Sequence, residues 1–133
     1  MIPIPVIVFV CEHGAAKSVV AAAYFNRFAQ ERGLNLQAVA RGTNPDNELS
    51  SQTIQGLSKD GLTPRESIPQ KLTSAEVQSA QRIVAFCELP TEYQQVIVER
   101  WGDIPPVSEN YDKARDAIVE HLNDLINTIR SSS

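Results

Sequence analysis

VIVFVCEHGAAKSVVAAAYF, residues 6–25, passes from a β-branched apolar run into an alanine-rich one. The first part reads as a buried strand, Ile4 to Val10, with the prolines confined to its beginning, where a missing backbone donor is tolerated. From Lys17 the pattern turns helical: Val20, Tyr24 and Phe28 recur at intervals of four, and Gly33 supplies the stop. Between strand and helix lies a short loop that opens on Cys11 and closes on Lys17-Ser18.

The remaining chain continues the alternation. Leu36 to Ala40 reads as a second short strand, closed by the turn-rich RGTNPD, and Ser50 to Asp60 as a helix with Ile54 and Leu57 inward and Gly61 at its end. Thr73-Ser74-Ala75-Glu76 is a capping box that starts a short helix. RIVAF, Arg82 to Phe86, is a third buried strand running into Cys87, and Val96 to Trp101 a fourth. Pro90 to Gln95 fits neither pattern. Tyr111, Ala114, Ile118, Leu122, Leu125 and Ile129 mark one face of a long final helix. Strands alternating with helices predict an α/β fold: one domain over residues 1–133, with a four-stranded parallel sheet and helices on both faces. In such sheets ligands bind beyond the carboxyl ends of the strands, the edge to which Cys11 and Cys87 are both assigned.

Composition narrows the function classes. The chain has 133 residues, 42% hydrophobic and 21% charged, with formal net charge −4. That balance offers no general field for nucleic acid or an anionic membrane. An anion handled by this protein must be captured by a local site. The apolar amino terminus is interrupted by prolines, lacks a basic flank and is too short to span a bilayer, so a cytoplasmic protein is expected. Two cysteines make no disulfide framework. The spacing of His13 and His121 relative to the cysteines matches no zinc pattern, so no metal is expected, and no cofactor is implied. His121 neighbours the buried face of the last helix and reads as structural; His13 reads as a residue of the loop rim.

The loop after the first strand carries the chemistry. A strand-to-helix loop can aim successive backbone N–H groups at one point with the helix dipole behind them, which makes an anion cradle. The same field favours thiolate over thiol, so Cys11 is expected to be an exposed nucleophile. The expected cradle is Glu12, His13, Gly14, Ala15, Ala16, Lys17 and Ser18. Gly14 turns the backbone without a Cβ penalty, Lys17 adds positive charge, and the Ser18 hydroxyl can donate to the sulfur. A nucleotide P-loop is a poor match: CEHGAAKS meets that pattern only at Lys17-Ser18, and Cys11 and Ala16 hold both glycine positions.

FVCEHGAAKS resembles the active-site loop of low-molecular-weight protein tyrosine phosphatases and of the arsenate reductases that share their fold, a loop of Cys, five residues, Arg and Ser. ARGTNPD, GLSKDGL, RIVAFC, RWGDIPP and the last helix are similar to the corresponding segments of that family, so the resemblance covers nearly the whole chain. It implies a phosphomonoesterase acting on a phosphorylated protein or small phosphomonoester through a Cys11 phosphocysteine. Asp103, in WGDIPP, is the implied general acid, with Ile104 standing where the family usually has proline. The resemblance equally allows arsenate reduction, in which Cys87 would attack the arsenylated Cys11 and form a disulfide; the further cysteine of thioredoxin-coupled members is missing here. Two departures bear on activity. Lys17 fills the arginine position and cannot copy a planar two-oxygen grip, and Gly14 stands where asparagine commonly braces the loop. With Glu12 also on the loop, a non-catalytic anion- or phosphoprotein-binding module is the third expectation. Oligomeric state has no signal in the sequence.

Overall fold

The computed structural model describes residues 5–93 and 98–131. β1 (Val6–Cys11) leads through the cysteine loop into α1 (Lys17–Glu31), and β2 (Gln37–Gly42) and α2 (Ser51–Lys59) follow. Then come α3 (Ser74–Ser79), β3 (Arg82–Ala85), a 3-10 turn at Thr91–Tyr93, β4 (Glu99–Arg100) and the long α4 (Tyr111–Ser131). Among the described residues the sheet has four strands in the order β2-β1-β3-β4, every pair parallel. Of the predicted elements, Ile4 and the stretch 96–97 of the fourth strand lie outside the described residues.

Both sheet faces are covered, which is why the strands read as continuous apolar runs and not as alternating ones. Ile7, Phe9 and Val84 pack with Val20 and Phe25 of α1, with Ile118, Leu122 and Ile126 of α4, and with Trp101. Val8, Val10, Ile83 and Ala85 pack on the other side with Leu72, Val77 of α3 and Leu89. Each fully buried side chain of this size contributes about 1.5–3 kcal/mol. The predicted face of α4 is confirmed at Ala114, Ile118, Leu122, Leu125 and Ile129, all buried, while Tyr111 is partly buried. Thr73 and Glu76 form the predicted reciprocal cap of α3.

One helix is turned differently from its predicted orientation. In α2 Leu57 is inward, but Ile54 is 45% exposed and Thr53 and Gly56 face the core instead. The reason is Tyr111, whose ring lies so close to Gly56 that a Cβ there would sit 2.4 Å from it. The glycine admits the ring, and that contact fixes the helix face. Beneath it, the Asp60 carboxylate accepts from Tyr24 at 2.5 Å, Tyr111 at 3.0 Å and Arg115 at 3.0 Å, tying the end of α2 to α1 and α4. No helix among the described residues is long and apolar enough to cross a membrane.

Because β2 lies on one side of β1 and β3 on the other, the chain changes direction between β1 and β3. That is the topological switch point at which open parallel sheets form their crevice. Cys11 ends β1, and Cys87 follows two residues after the end of β3.

Candidate active site

The register brings both cysteines to the carboxyl edge, with Cys87 one residue beyond the position level with Cys11. Val10 pairs with Ala85, Phe86 N donates to Val10 O at 2.8 Å, and Cys11 pairs on its other flank with Gly42. A cleft of about 450 Å³ opens there. Cys11, Glu12, His13, Ala15, Ala16 and Lys17 line it, together with Cys87. Asp46 and Ser50 of the β2–α2 connection, Phe86, and Pro106, Val107 and Ser108 complete the walls. Cys11 is 8% exposed, so it forms the floor of the cleft and is not the exposed group expected from its place at a strand end. Its Sγ lies 2.9 Å from Oγ of the fully buried Ser18.

The loop is held by its carbonyls. Thr43 N donates to Cys11 O (3.2 Å), Asn44 N to Glu12 O (2.7 Å), Asp46 N to His13 O (3.0 Å) and Ser50 N to Ala15 O (3.0 Å). A trans peptide points the next N–H the opposite way from each carbonyl. The amides of Glu12, His13, Gly14 and Ala16 are therefore directed away from residues 43–50. Among the described residues no amide from His13 to Val19 donates to a protein acceptor. At the start of α1 this is the expected set of orphan donors, with the positive end of the helix dipole behind it.

Glycines make that close packing possible. Gly14 sits at φ +62°, a region that L side chains rarely adopt, and its backbone touches Gly42. A Cβ on Gly42 would lie 2.8 Å from Gly14 N and 3.0 Å from its Cα. Gly42 is in turn fixed from behind, its N donating to Gln70 O at 2.8 Å and its O accepting from Leu72 N at 3.0 Å. Neighbouring Arg41 holds that support in place through Glu66 and Glu76, each at 2.6 Å.

The charges of the cleft are mixed. Lys17 pairs with no carboxylate among the described residues. At the rim, His13 Nδ1 lies 3.1 Å from Asp46 Oδ1, and His13 Nε2 lies 3.7 Å from Glu12 Oε2. Among the described residues no three His, Cys, Asp or Glu side chains are grouped to hold a metal. Cys87 packs against the core on the α3 side, whereas Cys11 follows the phase of Ile7 and Phe9 on the α1 side. Burial, and then the nearness of Cys11, push the Cys87 thiol up from its ordinary value.

Asp103 is placed elsewhere. It follows β4, is not among the residues lining the cleft, and meets His121 Nε2 with both oxygens at 3.0 and 3.1 Å. The hydrogen bond to His121 holds its carboxyl below the usual carboxylate range. His121 itself stacks on buried Trp101 at 4.8 Å between ring centroids, which accords with a structural role. Asp46, Ser50 and Gly42 were not singled out from the sequence. Their segment reads as turn chemistry, and only the pairing of β2 with β1 carries it to the cysteine loop.

Comparison with known proteins places these features in a wider set. The family model described as low molecular weight phosphotyrosine protein phosphatase matches residues 6–124. Among solved structures, YfkJ from Bacillus subtilis superimposes with a TM-score of 0.83 at 16% identity, covering 98% of each chain. The low molecular weight protein tyrosine phosphatase from T. tengcongensis gives 0.78 at 18% identity, covering 93% of this chain and 99% of its own. A thioredoxin-dependent arsenate reductase from Corynebacterium glutamicum gives 0.77 at 20% identity. It covers 98% of this chain, which spans only 64% of the reductase. At these identities the likeness is one of fold.

Proposed function

This chain belongs to the low molecular weight phosphotyrosine protein phosphatase family, and from that premise we propose that it is a cysteine-dependent phosphomonoesterase acting on a phosphorylated protein or small phosphomonoester. The observation that carries the reading is the cysteine loop, whose carbonyls are bonded to residues 43–50 and whose amides from His13 onward are left without protein acceptors among the described residues. Donors fixed before an anion arrives need no reorganisation when charge develops on it, which is the condition for electrostatic catalysis. In the proposed reaction the phosphoryl oxygens take these amides and Lys17. The Cys11 thiolate, steadied by the Ser18 hydroxyl, attacks phosphorus and expels the ester oxygen, and water then releases phosphate from Cys11. Lys17 gives charge without the two-point grip of a guanidinium, so turnover is expected to suffer more than binding.

Arsenate reduction is the second reading, favoured by the presence of Cys87 in the same cleft. Cys11 would take the arsenate, and Cys87 would attack the Cys11 sulfur. Arsenite leaves with the electron pair that the new disulfide gives up, and an external thiol donor restores both cysteines. In the strand register Cys87 lies one residue beyond the position level with Cys11, and both line one cleft. Cys87 also packs against the α3-side core, so its side chain would turn toward Cys11 for the bond to form.

One comparison separates the readings. Phosphate release from an aryl phosphate and arsenite formation with a dithiol reductant are measured for the wild type, Cys11→Ser and Cys87→Ser. Aryl phosphate turnover that disappears with Cys11 supports the phosphomonoesterase, and arsenite formation that needs both Cys11 and Cys87 supports the reductase. Phosphate binding with no turnover of either substrate would leave a non-catalytic anion-binding module.

A further inference from the structure

A phosphocysteine route needs a proton for the departing oxygen and a base for the water that follows. The Asp103 carboxylate is engaged on both oxygens by His121 and does not line the cleft. The cleft holds other titratable groups: Glu12, His13, Asp46 and Lys17, besides the thiols of Cys11 and Cys87. The facing walls, Phe86 and Pro106 to Ser108, bring no charge.

We propose that His13, held by Asp46, is the acid that protonates the leaving oxygen and the base that then activates water, a role that rests on the phosphomonoesterase reading above. His13 lies two residues beyond the nucleophile on the loop itself and lines the same cleft. Two contacts fix it against the β2–α2 connection: Asp46 N donates to His13 O at 3.0 Å, and Asp46 Oδ1 lies 3.1 Å from Nδ1. With Nδ1 against a carboxylate, Nε2 is the nitrogen left to exchange a proton with a substrate. Glu12 Oε2, at 3.7 Å, is beyond hydrogen-bond distance of Nε2 and leaves that nitrogen open to a substrate. Imidazole is the side chain suited to give and retake a proton near neutral pH.

The steps balance. As the Cys11 thiolate forms its bond to phosphorus, the P–O bond to the leaving group breaks and Nε2–H passes its proton to that oxygen, releasing the alcohol or phenol. Neutral His13 then takes a proton from water as its oxygen attacks phosphorus. The S–P bond breaks, Cys11 leaves as thiolate, and His13 is again protonated.

The test is the dependence of rate on leaving group, because a good leaving group needs little protonation. Wild type, His13→Gln, Asp46→Asn, Glu12→Gln and Asp103→Asn are compared on an activated aryl phosphate and on an alkyl phosphate. Inorganic phosphate binding checks the cradle in each variant. In kcat/KM, which reports formation of the phosphocysteine, His13→Gln is expected to lose about a hundredfold on the alkyl phosphate, to change little on the activated ester, and to lose the alkaline fall of the wild-type profile; kcat on the activated ester should fall, because hydrolysis of the phosphocysteine loses its base. Asp46→Asn, acting through orientation, should show a smaller loss of the same selectivity. An unchanged leaving-group dependence in His13→Gln with Cys11-dependent turnover intact would overturn the role. So would a selective loss confined to Glu12→Gln or Asp103→Asn. Absence of any Cys11-dependent turnover in the wild type would overturn the phosphomonoesterase reading and this role with it.

Discussion

Gly42→Ala is expected to damage the cysteine loop from a position that does not line the cleft. The new Cβ would stand 2.8 Å from Gly14 N, about 0.6 Å short of the 3.4 Å at which ordinary contact begins. Neither partner yields easily. Gly42 is bonded to residues 70–72 behind it, and the loop is bonded by four carbonyls to residues 43–50. Overpacking of this kind costs about 1–3 kcal/mol. At about 1.4 kcal/mol per factor of ten, that is about five- to a hundredfold in whichever equilibrium bears it. If the loop retreats by the missing distance, an amide set for a hydrogen bond at about 2.9 Å is left near the outer limit of one. Inorganic phosphate affinity by titration calorimetry and stability by urea unfolding divide the cost between site and fold. Gly102→Ala is the comparison, since a Cβ there meets nothing within 4 Å, and it should leave both measurements within about 0.5 kcal/mol. Gly42→Ala with wild-type phosphate affinity and wild-type stability would refute the idea that the Gly14–Gly42 approach places the loop.

Lys17→Arg should raise aryl phosphate turnover by about tenfold or more while phosphate affinity changes less, because a planar fork meets two oxygens where an ammonium follows one. A fall in turnover with the loop intact would show a site built around lysine. Asp60→Asn should cost about 2 kcal/mol in urea unfolding, since a carboxylate only 14% exposed that accepts from Tyr24, Tyr111 and Arg115 is replaced by an amide, while Arg115 keeps Asp116 at 3.0 Å. Burial works to raise the Asp60 carboxyl, but hydrogen bonds from Tyr24, Arg115 and Tyr111 outweigh it and hold the group below its ordinary value. Its contribution is therefore complete above the unfolded carboxyl value, about 3.9, and is lost as pH falls below that; an acid-unfolding profile identical in wild type and Asp60→Asn would contradict this. Cys87→Ser should abolish arsenite formation and spare phosphate release, with a Cys11–Cys87 disulfide visible by peptide mapping only in arsenate-treated wild type. If arsenate leaves both thiols free, the reductase reading fails.

The sequence by itself determined what depends on neighbours along the chain. The run from Val6 to Cys11 into Lys17 has the apolar continuity of a doubly covered strand, a glycine turn and then a helical period, and those patterns need no distant partner to be read. The cap at Thr73 and Glu76, the face of α4, the stops at Gly33 and Gly61, and the place of Cys11 and Cys87 at strand ends are local for the same reason. The face of α2 was not legible, because it is decided by Tyr111, 55 positions after Gly56. Nor was the strand order, which carries β2 to one side of β1 and β3 to the other and so makes the crevice. Only the tertiary structure set Gly42 against Gly14 and Asp46 against His13, and turned Asp103 to His121. Each of those pairs joins residues from separate elements, and a side chain's partner across a fold is chosen by packing geometry and register, which leave no periodic trace in the order of residues.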